Sequence, residues 1–150
     1  MVAMDWDFLF GLTNLIAIAG WLALIALPRS ELVLKAVLVG AVGLLCVIYT
    51  ALFIGLAGGL LDAEPDAGVA QGFAYSVDGL KAMFAARGAI VVGWTHYLAF
   101  DLFVGLWIAR DADARRVGRW AQLPFFMVTF LAGPIGLLAW LLARHSLGRR

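Results

Sequence analysis

The sequence predicts an all-α integral membrane protein, with four transmembrane helices in a bundle and one short amphipathic interfacial helix between the second and third. Of the 150 residues, 64% are hydrophobic and only 14% are charged, and mean hydropathy is +0.96. A soluble domain of this size is about half apolar and about 25% charged. The apolar residues gather in four runs, each near the ~20 residues that a helix needs to cross a bilayer. The charged residues collect between those runs and at the ends. Residues 1–150 read as a single domain. A net charge of +1 gives no basis for nucleic-acid binding, so no nucleic-acid partner is expected. The lone cysteine, Cys46, excludes a disulfide framework and a cysteine zinc site within one chain.

The first helix is expected over about 8–27, interrupted only by Thr13 and Asn14. Asp5 and Asp7 precede it and the first basic residue is Arg29, which is the wrong flank for a cleaved signal peptide. Pro28 closes it by favouring extended backbone in the residue before. The second helix is expected over about 33–57. Ser30 is its N-cap, and Gly58-Gly59 loosens its end. A polar loop follows with Asp62, Glu64, Pro65, Asp66 and Gly68. Beyond it Phe73, Val77, Leu80 and Phe84 recur at helical spacing, with Asp78 and Lys81 between them. This stretch is too short and polar to span, so a surface helix is expected over about 76–86.

The third helix is expected over about 88–109, between Arg87 and Arg110. The fourth is expected over about 121–143, after a charged loop ending at Arg119. Pro124 falls near its start, where proline is tolerated, and Pro134 falls inside it and should kink it. Four crossings place both termini on one side. The first and third loops hold six of the 11 Lys and Arg residues and the other side five, which favours termini facing away from the cytoplasm. Small residues recur four apart at Ala85, Ala89 and Gly93, at Ala36 and Gly40, and at Ala132 and Gly136, a spacing that lets helices approach closely in lipid.

Inside the apolar runs the polar residues are the informative ones. Asp101 lies 14 residues after Arg87 and 9 before Arg110, in the middle third of its helix. A carboxylate there costs roughly 2.5–3.5 kcal/mol on insertion scales, so a partner or a proton must offset it. His96 lies five residues earlier, about 140° around the helix, so the two could line separate walls of one cavity. Asn14 and Trp21 in the first helix, Tyr49 in the second, Trp94, Tyr97 and Phe100 in the third, and Thr129 and Pro134 in the fourth are candidate pocket residues. Interhelical hydrogen bonding is the competing reading for Asn14 and Tyr49. Pro134 lacks an N–H and frees the carbonyl of Phe130. No lysine lies at mid-membrane for a retinal Schiff base. The two histidines are at different depths for a haem clamp, and no metal-ligand cluster is present, so neither cofactor nor metal is expected. Proton transfer needs only an acid, a base and a dry pocket.

The stretch Gly93-Trp94-Thr95-His96-Tyr97-Leu98-Ala99-Phe100-Asp101-Leu102-Phe103-Val104-Gly105 resembles the signature of the neoxanthin-synthase-like family, the plant proteins named for abscisic acid deficiency four and their bacterial relatives. Asn14, Trp21 and Pro28, the Leu80–Phe84 segment, and Gly133-Pro134-Ile135-Gly136-Leu137-Leu138 fit the same pattern. The resemblance implies a four-helix membrane protein. In plants the family is linked to conversion of violaxanthin to neoxanthin, which opens an epoxide, removes a carbon-bound proton and makes an allene with no net redox change. On that reading Asp101 and His96 are the catalytic acid–base pair, in either order. The chain has no long N-terminal extension of the plastid-targeting kind, so a bacterial member in the inner (cell) membrane is expected. Its partners would be a carotenoid, an apocarotenoid or another hydrophobic isoprenoid, membrane lipid, and a second copy of the chain. A non-catalytic pigment or lipid binder or helper, and a proton-linked transporter using Asp101, remain as other readings.

Overall fold

The computed structural model describes residues 1–64 and 76–147, and the described residues form helices joined by short connections, with one isolated bridge between Val2 and Leu61. Helix α1 is Trp6–Ala26, α2 is Glu31–Ala57, α3 is Val77–Met83, α4 is Arg87–Ala114, α5 is Arg119–Leu131 and α6 is Gly133–Leu147. Three of these, α1, α2 and α4, are long and apolar enough to cross a membrane, and the chain is a membrane protein. Their large apolar side chains face outward, Leu15, Leu22, Leu32 and Val47 among them. In water this would be an aggregating surface, whereas in lipid it is the solvated face.

Local chemistry sets the ends. The Asp5 carboxylate accepts from the Phe8 N–H at 2.9 Å, so α1 starts two residues before the expected boundary. Leu27, ahead of Pro28, is extended and ends it. Ser30 caps α2 as expected, its hydroxyl accepting from the Val33 N–H at 3.3 Å. Between Ala36 and Gly43 the α2 backbone is π-helical, a wider winding that no residue type announces.

Helix α4 is the central element, packing against α1, α2, α5 and α6. Of its most apolar stretch 56% is buried, against 28% in α1 and in α2. It runs five residues past the expected end at 109, because no breaker intervenes before Gly118 and its extra turn has polar partners. Gly105 lets the Trp21 ring lie directly on the α4 backbone, since a Cβ there would overlap the indole. Trp21 meets Phe126 and Phe130 edge-on at 6.1 and 5.9 Å, completing the main core with Leu24, Leu102, Leu106 and Trp140.

Three expectations change. The fourth run is not one kinked helix over 121–143 but two helices, α5 and α6, broken at Ala132 (φ −159°, ψ 80°). Pro134 is therefore the second residue of α6, where its missing N–H costs nothing. Pro124 sits inside α5, because that helix starts at Arg119. The interfacial segment is helical only over Val77–Met83, capped by Ser76, and Phe73 lies outside the described residues. Of the small-residue stripes, Gly40 has open space beside it, whereas Gly136 lies against the Thr129 backbone.

The loop ends are tied by polar contacts. At one end Trp6 Nε1 donates to the Asp62 carbonyl at 3.0 Å, and Arg87 pairs with Asp7. At the other end the Arg29 side chain is 6% exposed. It donates to Asp113 at 2.7 Å and to Gln122 at 2.5 Å, and lies over the Phe126 ring. Gln122 in turn donates to the Val117 carbonyl at 2.8 Å. Asp111 accepts from Trp140 Nε1 at 3.0 Å and pairs with Arg115 and Arg144. A buried guanidinium left without its carboxylate is expensive. Asp113→Ala is therefore expected to lower stability by about 3 kcal/mol, the lower end for a buried pair because Asp113 keeps solvent contact. Arg115→Ala, which breaks an i,i+4 pair, should cost less than about 1 kcal/mol. Reversible unfolding of the purified protein in detergent compares the two.

Candidate functional site

The break at Ala132 explains Asp101. A helix start exposes backbone N–H groups that need acceptors. In α6, Ile135 and Gly136 both donate to the Ala132 carbonyl, and Pro134 has no N–H. Gly133 is left, and the Asp101 carboxylate lies against its main chain. The approach is so close that a Cβ at Gly133 would fall on Asp101 Oδ1. The carboxylate is buried near the midpoint of α4 and faces the start of α6, the positive end of that helix's dipole. The mid-membrane acid that the sequence singled out thus sits at the start of another helix.

His96 is elsewhere. It stands on the outer side of α4, in a groove of about 330 Å³ walled by Tyr49, Phe53, Leu56 and Ala57 of α2, by Met83 and Phe84 at the end of α3, and by Ala89, Val92 and Gly93 of α4. That size lies at the lower end of the usual range for small-molecule pockets. The imidazole lies 4.6 Å from the Phe100 ring and 5.5 Å from the Tyr49 ring, centroid to centroid, and Tyr49 stacks on Phe53 at 5.9 Å. Gly93 makes room for Phe84, whose ring a Cβ there would strike. The groove is apolar apart from the imidazole and the Tyr49 hydroxyl. Neither makes a hydrogen bond among the described residues. Asp101 is not among the groove residues, so His96 and Asp101 occupy different surroundings.

The other candidates divide. Asn14 accepts from Trp94 Nε1 at 3.2 Å while its own amide donates to the Phe10 carbonyl at 2.7 Å, which is the interhelical hydrogen bond foreseen as one reading. Trp94 stacks on Tyr97 at 5.9 Å and meets Phe10 at 5.8 Å, forming a second aromatic patch on the α1 side. Trp21 and Thr129 are core residues. Thr129 donates to the Phe125 carbonyl at 2.7 Å. Pro134 is exposed beside the α6 start. The pattern reading passed over Met83, Phe84 and Phe53 as groove residues. Phe84 was legible as part of an apolar helical face, but nothing in the sequence showed that this face meets His96. It also passed over Gln122, which carries no charge to flag it.

If Asp101 caps α6, its replacements should separate by hydrogen-bonding capacity. Asp101→Asn keeps an acceptor oxygen and is expected to lower stability by less than about 1 kcal/mol. Asp101→Leu leaves the Gly133 N–H unpaired and should cost about 1–3 kcal/mol. Gly133→Ala, which drives a methyl into the carboxylate, should resemble the leucine variant. Thermal unfolding in detergent ranks the three, and equal losses for Asn and Leu would contradict the capping role.

A family model described as ABA DEFICIENT 4-like matches residues 8–140, a stretch that takes in nearly all of α1, all of α2 to α5 and the first half of α6. No curated protein and no solved structure matches the chain.

Proposed function

The chain belongs to the ABA4-like family, and from that premise we propose that it is a membrane-embedded isomerase acting on a carotenoid, an apocarotenoid or a related isoprenoid. In this reading α5 and α6 together make a broken fourth crossing, both termini lie on one side, and α3 rides at the membrane surface over the groove. A hydrophobic polyene enters sideways from lipid and seats its end group between Tyr49, Phe84 and His96.

The single observation that carries the reading is the placement of His96 and Tyr49 as the polar groups of an aromatic, lipid-side groove. Opening an epoxide to an allenic alcohol consumes one proton at oxygen and releases one from carbon. A neutral imidazole can take the carbon-bound proton and return a proton to the oxygen, so the reaction balances without cofactor or redox partner. The Tyr49 hydroxyl is a donor within the same groove for the developing alkoxide. Asp101 then acts at a distance, as a positioning residue that fixes α6 against α4. A non-catalytic pigment binder is the second reading, favoured by a groove that is largely apolar.

The test is conversion of violaxanthin by the purified full chain in detergent, followed by chromatography of the extracted pigment. Wild type is expected to return an isomer of unchanged mass. His96→Phe, which keeps the ring stacking, should lose about 10²–10⁴-fold in rate while still retaining pigment. Asp101→Asn should stay active. Conversion by His96→Phe at the normal rate would remove histidine from the chemistry. Pigment bound and released unchanged by wild type would favour the binder.

A further inference from the structure

At the opposite end of the molecule from the groove lies a crevice of about 420 Å³, between the end of α1 and the start of α5. It is lined by Ile25, Ala26, Arg29, Arg119, Trp120 and Leu123. Two of its six walls are guanidiniums. Each guanidinium carries five N–H donors. Arg29 spends only Nη1, on Asp113, Gln122 and the Ala109 carbonyl. Its Nε is buried and has no partner, although the side chain is only 6% exposed. Arg119 spends only Nη2, on the carbonyls of Ile25 and Leu27 at 3.0 and 2.5 Å, and forms no ion pair among the described residues. Asp113 is thus the one carboxylate paired with these two cations. The α5 start adds to the imbalance, since its first turn has no acidic residue and no side-chain cap.

Beside the arginines, Trp120 is 85% exposed, in the position of an aromatic residue anchored at a membrane interface. Ile25, Ala26 and Leu123 give the crevice an apolar side. Unspent, partly buried guanidinium donors, an apolar wall and an interfacial tryptophan together match one kind of ligand, a phosphate oxyanion joined to acyl chains.

We propose that this crevice binds the headgroup of an anionic phospholipid, with its phosphate oxygens held by Arg29 and Arg119 and its first acyl carbons laid on Ile25 and Leu123. The phosphate supplies the negative charge that Asp113 alone does not, and accepts from donors that otherwise stay unmade. Bound there, the lipid ties the end of α1 to the start of α5, as Arg119 does through the carbonyls of Ile25 and Leu27.

The experiment is native mass spectrometry of the detergent-purified full chain. Equal amounts of phosphatidylglycerol and phosphatidylcholine are added, and inorganic phosphate serves as a separate competitor. Wild type is expected to retain phosphatidylglycerol preferentially and to keep it in millimolar inorganic phosphate. Arg119→Gln should lower that retention by about fivefold. Leu123→Trp keeps both arginines but fills the crevice, and should lower it as much. Circular dichroism checks that each variant remains helical, and a misfolded Arg119→Gln leaves Leu123→Trp to decide. Equal retention of the two lipids, or undiminished retention by folded Leu123→Trp, would overturn the site. Displacement of the lipid by inorganic phosphate would assign the crevice to free phosphate instead and also overturn the lipid reading.

Discussion

A helix that stops among apolar side chains must find acceptors for the amides it exposes, because no water is there to take them. That requirement organises the centre of this protein. The chain breaks at Ala132. Pro134 removes one donor, the Ala132 carbonyl takes two more, and the last, at Gly133, lies beside the Asp101 carboxylate. The arrangement works only if α4 brings a carboxylate to the height at which α6 begins and if residue 133 has no side chain. The central position of α4, touching α1, α2, α5 and α6, follows from the same need: it carries the acceptor and the small residues that let its neighbours approach.

The two ends of the molecule are sealed by different means. On the side of the N-terminus, main-chain contacts from Val2, Ala63 and Glu64 and the Arg87–Asp7 pair tie the chain start to the α2–α4 connection. On the other side a buried arginine gathers the α1–α2 turn, the last turn of α4 and the first turns of α5. Between these ties the helices are held mainly by packing, with the Trp94–Asn14 hydrogen bond and the contact of Asp101 with Gly133 added, and it is there that the flank of α2 and α4 opens into an aromatic groove. The split places polar links at the two ends and an apolar opening between them.

Much of the architecture could be read from residue order. Apolar run lengths located α1, α2 and α4, Ser30 and Pro28 marked their turns, and the Gly93–Gly105 stretch carried the family resemblance that the match over residues 8–140 bears out. Asp101 could be singled out because a carboxylate in such a run demands an offset. What periodicity could not supply was the identity of that offset. Gly133 is 32 residues away in sequence, and an amide exposed by a helix break leaves no trace in composition. For the same reason His96 and Asp101 could be placed 140° apart but not assigned to surroundings, since that depends on which helix covers each face.

By itself, then, the sequence determined the solvent, the helical class, three of the four expected spans and the short list of polar residues, because hydropathy and helix-ending chemistry act over neighbouring residues. Only the tertiary structure decided that the fourth run is two helices, that Asp101 lies against the backbone of one of them, that His96 belongs to a groove with Tyr49 and Phe84, and that Arg29 is buried rather than solvated. Each of these joins groups far apart in the chain, and the energy that selects them, hydrogen bonds and contacts made in a medium without water, exists only once the helices have met.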